Sequence, residues 1–157
     1  MLQVWSNGEI NYTIKDIHSK VTVVWEYQTA SGSDAHYSLM RGSKANLIVR
    51  QGKEEGYKPV LYIEPVTNDT AFEKVLEQQF AKISARFPGV GLYKTAKGWS
   101  VKLPERLAEG HEAHFGRVME NFLDYLKNKN MPAWEVPNML AKYYTTTKAL
   151  ETALKNK

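Results

Sequence analysis

The sequence predicts an α+β fold, in which a mostly antiparallel, open sheet has helices packed on one of its faces. Up to about Pro65 the chain alternates apolar and polar residues and is rich in Val, Ile, Thr, Tyr and Trp, which is typical of strands. Beyond that point, apolar residues recur mostly at helical spacing. The two kinds of segment do not alternate as strand, helix, strand, so the sheet is not expected to be parallel.

The first strands are indicated by a turn signal and by alternation. Asn7-Gly8 is the strongest short turn signal in this part of the chain. Over Val21 to Gln28, alternate residues suit a strand of an antiparallel sheet. One face of this strand would carry Val21, Val23, Trp25 and Tyr27.

A hairpin and a further strand follow. His36 to Met40 and Asn46 to Gln51 form the hairpin, joined through Arg41 to Lys44. Gly42 is expected to adopt a φ value in this turn that other residues disfavour. Tyr57 to Glu64 makes the next strand.

A helix is predicted directly after these strands. Thr70 and Glu73 have the spacing of a capping box, which indicates the helix start, and Pro88-Gly89 ends the helix. One stripe, apolar except for a glutamine, should pack on a face of the sheet. This stripe consists of Phe72, Val75, Leu76, Gln79, Phe80, Ile83 and Phe87.

The rest of the chain predicts a late hairpin and two more helices. Val90 to Tyr93 and Trp99 to Leu103 form the hairpin, and a second helix runs from about Gly110 to Asn128. Its apolar stripe is Phe115, Val118, Met119, Phe122 and Leu126. A last helix carries, at heptad-like spacing, Leu140, Tyr143, Thr147, Leu150 and Leu154. The sheet face without helices must be solvated, line a pocket or meet another copy of the chain.

Composition narrows the class of protein. With 157 residues, 43% of them hydrophobic, one globular domain is expected. The net charge of +4 is scattered along the chain, which does not indicate nucleic-acid binding. Cysteine is absent, so a disulfide scaffold and a thiolate site are excluded. Neither a signal peptide nor a membrane span is predicted.

Two short motifs resemble functional sites without meeting their requirements. Gly89-Val90-Gly91 begins like a dinucleotide fingerprint, but the third glycine is missing and the segment follows a helix. His111 and His114 are three residues apart where a metalloprotease helix needs four, and no third ligand is apparent. The sequence therefore predicts no catalytic, cofactor-binding or metal-binding residue in this chain.

The candidate substrate-binding residues are His36, Tyr37 and Arg41, which lie in one predicted strand. The arginine offers a planar fork of donors, and the tyrosine offers an apolar ring with a hydroxyl, so both suit a hydroxylated ligand. By alternation His36 faces away from the other two. Ordinary cross-strand packing is the alternative role for all three residues.

Two segments resemble a known sheet. HYSLMRGSKANLIVRQG, residues 36–52, and GYKPVLYIEP, residues 56–65, are similar to the carboxy-terminal domain of the Gfo/Idh/MocA oxidoreductases. The nearer similarity is to the branch called putative oxidoreductase C-terminal domain. Gly42-Ser43-Lys44-Ala45 matches the small-residue hairpin of that family, and the segment from His114 to Leu150 resembles its final helices.

The resemblance implies a dihydrodipicolinate-reductase-like C-terminal domain over residues 1–157. By the family pattern, NAD or NADP binds to an N-terminal Rossmann domain that this chain lacks, so the chain alone would not be catalytic. The domain would shape the pocket for a sugar or cyclitol and form homo-oligomers through its sheet face. A cytoplasmic location is favoured, and export of a longer parent protein stays open. The alternatives are a free-standing ligand-binding module and a protein-interaction module.

Overall fold

The computed structural model describes residues 7–25, 32–67 and 69–156. The chain folds as two compact units, one formed by Met1–Tyr27 with His111–Lys157 and the other by Gln28–Gly110. The described residues form three α-helices, a two-stranded sheet and a five-stranded sheet, and every strand pairing among them is antiparallel. The prediction of an α+β fold with a mostly antiparallel sheet is confirmed.

The first unit begins with a hairpin of β1 (Gly8–Ile14) and β2 (Ile17–Val23). Ile14 pairs with Ile17, so Lys15 and Asp16 form a two-residue turn in which both have positive φ, 49° and 65°. This geometry matches the right-handed twist of the strands. The turn predicted at Asn7-Gly8 is wrong, because Gly8 already belongs to β1.

The second strand of this hairpin is shorter and earlier than predicted. It ends at Val23, whereas the predicted strand ran from Val21 to Gln28. Residues 26–28 of that prediction lie outside the described residues. The amide of Trp25, just after β2, donates a 2.7 Å hydrogen bond to the side chain of Asn7. This bond joins the two open ends of the hairpin.

The second unit contains a five-stranded sheet in the order β3-β4-β5-β7-β6. Its strands are β3 (His36–Arg41), β4 (Ala45–Gln51), β5 (Val60–Pro65), β6 (Gly91–Thr95) and β7 (Gly98–Lys102). Both predicted hairpins are therefore confirmed. The strand predicted to begin at Tyr57 begins at Val60, because Tyr57 has a φ of 58° and closes a turn with Gly52.

The turn between β3 and β4 requires a glycine for a reason different from the one predicted. Gly42 does not have a positive φ. A Cβ atom added there would lie 2.6 Å from the carbonyl oxygen of Ala45, the oxygen that accepts the hydrogen bond of the Gly42 amide. Close approach of the two backbone segments is thus what excludes a side chain.

Helix α1 (Thr70–Arg86) packs on one face of the five-stranded sheet. The ring centroids of Phe72 and Trp99 lie 6.0 Å apart, and the Ser84 hydroxyl donates to the Val90 carbonyl at 2.9 Å. Among the described residues, the buried apolar side chains are Ile48, Ile63, Phe80, Val90 and Trp99. Only part of the predicted stripe is covered, since Val75 and Ile83 on its other margin are exposed.

The predicted capping box of α1 is wrong. The N-cap is Asp69, whose side chain accepts a 2.8 Å hydrogen bond from the Ala71 amide. Glu73, the second member of the predicted box, forms an ion pair with Lys94 of β6. Glu73 therefore pairs with a residue 21 positions away and does not complete a capping box. The spacing of residues in the sequence does not reveal this contact.

The first unit also contains α2 (His111–Asn128), close to the predicted helix from about Gly110 to Asn128, and α3 (Glu135–Lys155), which contains the residues predicted for the last helix. The face of α3 that carries Thr145 and Ala149 lies against β1, where these residues and Tyr12 line one cleft. The predicted apolar stripe of α3 points the other way, and its Leu140 and Tyr143 are exposed. No described helix is long and apolar enough to cross a membrane.

Candidate functional site

The candidate site lies on the face of the five-stranded sheet opposite α1, which we call the open face. Strand pairing aligns Leu39, Ile48, Tyr62, Ser100 and Tyr93 across this face. Alternation then places further residues of β3, β4 and β5 beside that row. These residues are Tyr37, Arg41, Asn46, Arg50, Val60 and Glu64.

Arg50 is the centre of the polar contacts on the open face. Its guanidinium donates to the carboxylate of Glu64 at 3.0 Å and lies 4.9 Å from the ring centroid of Tyr62. Because Glu64 pairs in register with Asn46, four residues from Arg50 along β4, the arginine must extend along the sheet to reach it. This path runs past the ring of Tyr62, in the row that also contains the buried Ile48.

Tyr62 connects this pair to the loop after β4. Its hydroxyl donates a 3.1 Å hydrogen bond to Glu55, and the other oxygen of that carboxylate accepts from the Gly52 amide at 3.1 Å. Burial, followed by the hydrogen bond to Glu55, raises the pKa of the Tyr62 phenol. The phenol is therefore a neutral hydrogen-bond donor across the physiological range of pH.

The three predicted substrate-binding residues all lie on β3, which is an edge strand. Tyr37 and Arg41 share the open face, and His36 points to the opposite side, as alternation predicts. Tyr37 pairs in register with Arg50 and keeps 62% of its surface exposed. Arg41 pairs with Asn46 at the far end of the strand. Tyr37 thus adjoins the Arg50 cluster, whereas His36 cannot share a ligand on that face.

Arg50, Tyr62 and Glu64 were missed by the sequence-based choice of residues. Arg50 lies two residues after Ile48 on β4, and Glu64 lies two residues after Tyr62 on β5. Each pair was therefore recognisable as sharing one face of its own strand. The register between the two strands was needed to bring the pairs together.

A cleft lies on the α1 side of the sheet. The cleft, of about 350 Å³, is lined by Asp69, Phe72, Lys94, Lys97 and Trp99, among others. The ammonium of Lys94 lies 4.3 Å from the ring centroid of Trp99 and is paired with Glu73. Because these contacts already engage the lysine, we interpret the cleft as a junction between the helix and the sheet and not as a charged binding site.

The described residues bear on two kinds of site that the sequence suggested, a metal site and a dinucleotide-binding turn. Across residues 7–25, 32–67 and 69–156, no group of three or more His, Asp or Glu side chains is placed to hold a metal ion. Gly91 opens strand β6, so the Gly89 to Gly91 turn leads into a strand and lacks the helix N-terminus that a dinucleotide phosphate requires. The open face presents aromatic rings, a guanidinium and a hydroxyl, which can bind a ligand or pack against another surface.

Comparison with known proteins identifies relatives of the whole chain. Residues 1–154 match the family described as "Putative oxidoreductase C terminal domain". The crystal structure of a putative oxidoreductase from Parabacteroides merdae is similar, with 51% sequence identity and a TM-score of 0.90. The match covers 96% of this chain and 35% of that one, so this chain spans about a third of the solved protein. No curated protein matches the sequence.

Proposed function

Because the chain belongs to the family described as "Putative oxidoreductase C terminal domain", we propose that it walls the substrate pocket of an NAD(P)-dependent sugar or cyclitol oxidoreductase of the Gfo/Idh/MocA type. The nicotinamide cofactor, NAD or NADP, would be held by the N-terminal partner domain and would supply the hydride chemistry. In this proposal the present chain binds and orients the substrate and mediates oligomerisation, and it has no turnover by itself.

The observation that carries this proposal is the composition of the open face. The exposed ring of Tyr37 lies next to Arg50, and Arg41 extends the same face along an edge strand. Guanidinium and phenol groups donate hydrogen bonds to hydroxyl oxygens, and aromatic rings pack against the apolar faces of sugar rings. These groups therefore suit a hydroxylated substrate.

The test uses the intact oxidoreductase that carries this domain. Hydride transfer to a panel of sugars and cyclitols would be followed by nicotinamide absorbance. Arg41→Met should raise KM about tenfold with little change in kcat, as expected for the loss of one charged hydrogen bond to bound substrate. Met40→Ala, its neighbour on the opposite face, is the matched control and should leave both parameters unchanged.

Two results would overturn the proposal. Turnover by the purified 157-residue chain alone would show that the chain holds its own catalytic machinery. An intact protein that binds neither NAD nor NADP would remove the redox assignment.

A protein-interaction module is the second candidate, favoured by the exposure of Tyr37 and Tyr93 on the open face. It predicts stable self-association without small-molecule binding. In that case Arg41→Met would leave all substrate kinetics unchanged, while Tyr37→Lys would still weaken self-association. Arg41→Met therefore separates a ligand site from a docking surface, because Tyr37→Lys should weaken self-association in either case.

A further inference from the structure

The loop between β4 and β5 has a backbone conformation that its residue types do not favour. Gly56 and Tyr57 both have positive φ, 61° and 58°. This conformation is unfavourable for a bulky residue such as tyrosine, so neighbouring contacts must hold it in place. The Tyr57 amide donates a 2.8 Å hydrogen bond to the Gly52 carbonyl. The Lys58 amide donates to the Glu55 carbonyl at 3.2 Å, so the loop is closed on itself around Glu55.

The Glu55 carboxylate is fixed between this loop and the open face. One oxygen accepts from the Gly52 amide and the other from the Tyr62 hydroxyl, both at 3.1 Å. An ionised carboxylate has about four acceptor sites, so Glu55 can still accept a hydrogen bond from a ligand. All three residues belong to one compact unit, Gln28–Gly110, and the arrangement is therefore internal to that unit.

Tyr62 and Arg50 offer opposite hydrogen-bonding roles to a ligand. The single proton of the Tyr62 hydroxyl is donated to Glu55, so only the phenol oxygen is left, as an acceptor. The Arg50 guanidinium, 4.9 Å from the Tyr62 ring centroid, can only donate. A ligand hydroxyl satisfies both neighbours, because it donates and accepts. An ionised carboxylate has no proton to donate and satisfies only the arginine.

The charges at this end of the open face oppose a bound anion. Glu64 pairs with Arg50 at 3.0 Å and balances its charge. The charge of Glu55 is held by a neutral hydroxyl and a backbone amide, so an anion beside Tyr62 would be repelled by it. At an effective dielectric constant of about 20, repulsion over about 8 Å weakens binding at least about tenfold.

The other charges of this region are solvated or distant. Lys53, Glu54 and Lys58 of the same loop are exposed, so their charges are screened by salt. Arg41 pairs with Asn46, four residues along β4 from Arg50, which is roughly 13 Å away along the strand. That distance exceeds the roughly 8 Å over which exposed charges interact at physiological salt.

We propose that Glu55 determines the charge specificity of the substrate face, so that neutral hydroxylated ligands bind and acidic ligands of the same shape are rejected. This inference rests on the proposed function, because it takes the open face to contact the substrate. Tyr62 accepts a hydrogen bond from a substrate hydroxyl, and Arg50 donates to the same or a neighbouring hydroxyl. The closed loop holds Glu55 in position before the substrate arrives, which reduces the entropy lost on binding.

Glucose and glucuronate test the proposal, since they share a ring and differ in one carboxylate. Calorimetric titration of the intact oxidoreductase, with NAD or NADP present, should show glucose bound at least about tenfold more tightly. Glu55→Gln keeps the shape of the side chain and one acceptor oxygen but removes the charge. It should strengthen glucuronate binding and reduce the difference to less than about threefold. Glu54→Gln is the matched control on the same loop and should preserve the difference.

The outcomes distinguish this inference from the proposed function. Equal binding of the two sugars by the unsubstituted protein would overturn the inference and leave the proposed function standing. An equal effect of Glu54→Gln and Glu55→Gln would also overturn it, by showing a general effect of charge. Binding of neither sugar would reject the sugar-binding face itself, and both proposals with it.

A second substitution keeps the proposal testable if Glu55→Gln does not fold. Tyr62→Phe removes the acceptor oxygen and should weaken glucose binding about fivefold, as expected for the loss of one hydrogen bond. Unchanged glucose affinity in this variant would contradict the role given to the Tyr62 hydroxyl.

Discussion

The ion pair between Arg50 and Glu64 is the most enclosed one among the described residues. The two side chains are 32% and 21% exposed, whereas both members of the Lys148–Glu151 pair on α3 are more than half exposed. Solvent screening leaves an exposed pair with little net effect on stability. A pair this enclosed is different, because removal of one partner leaves a charge that water solvates poorly.

Arg50→Met is therefore expected to lower the free energy of unfolding by about 1–2 kcal/mol, between the values for exposed and fully buried pairs. Urea unfolding at neutral pH measures the change. Lys148→Met, which breaks the exposed pair, should produce no measurable loss. Equal losses for the two variants would mean that enclosure does not distinguish them.

Gly98, at the start of β7, combines a backbone constraint with a spatial one. Its φ is +149°, and a Cβ atom there would lie 2.2 Å from the carbonyl oxygen of Ile63 in β5. Gly98→Ala should destabilise the chain by at least about 2 kcal/mol, because two central strands must separate to admit a methyl group. Gly8→Ala is the control, since a Cβ at position 8 meets no atom within 4 Å. A similar urea midpoint for both variants would contradict the predicted crowding.

At the scale of elements, the ends of helices and hairpins depend on individual polar side chains. Helix α1 begins with a carboxylate that accepts a backbone hydrogen bond, and the β1–β2 hairpin carries a polar row that includes Glu9, Lys20 and Thr22. Each element contains one side chain whose removal should affect that element and leave the rest of the unit intact.

Substitutions at Asp69 and Thr70 distinguish the observed N-cap of α1 from the predicted one. Asp69→Ala should cost about 1 kcal/mol of unfolding free energy, because it removes the acceptor for the Ala71 amide. Thr70→Ala should have a much smaller effect, since Thr70 is the first helical residue and not the cap. If urea unfolding shows a larger loss of unfolding free energy for Thr70→Ala than for Asp69→Ala, the result would support the predicted capping box.

Glu9 on β1 makes the hairpin sensitive to acid. The hydrogen bond from Lys20, and then that from Asn11, lower the pKa of the Glu9 carboxyl. A carboxyl whose pKa is lowered in the folded state stabilises the fold at pH values above its unfolded pKa. That stabilisation is lost as the pH falls through the folded pKa. An NMR titration of the carboxyl carbon should therefore give a pKa below the ordinary range for glutamate. Lys20→Met should return it toward that range, and an unchanged value would contradict the assignment.

For the molecule as a whole, the open face is the surface through which we propose that the chain self-associates. An interface of standard size covers roughly 800 Å² on each partner, and the gain from buried apolar area is partly offset by the cost of association. The exposed Tyr37 and Tyr93 are aromatic residues of the kind that dominate such contacts.

Two neighbouring residues of β3 test this surface. Tyr37→Lys should weaken self-association of the chain at least tenfold in Kd, because it places a charge on the open face. Met40→Lys is the matched control, since Met40 is 68% exposed but lies on the opposite face of the same strand. Sedimentation velocity over a range of concentrations measures both. A dimer that Met40→Lys disrupts and Tyr37→Lys does not would assign the interface to the other face.

The elements that were predictable from the sequence are those whose causes are local. Both hairpins of the five-stranded sheet, the end of α1 near Pro88-Gly89 and the extent of α2 followed from alternation, helical periodicity and turn residues. The placement of Tyr37 and Arg41 on one face also followed, because side chains of a strand alternate regardless of its surroundings.

The features that join distant parts of the chain depend on tertiary packing and could not be predicted from local patterns. The order β5-β7-β6, the pairing of Arg50 with Glu64 and the capture of Glu73 by Lys94 each depend on residues 14 or more positions apart. The face of α3 that contacts β1 was likewise decided there, against the stronger apolar stripe. A local pattern specifies which residues share a face, but the register and packing of other elements determine what that face contacts.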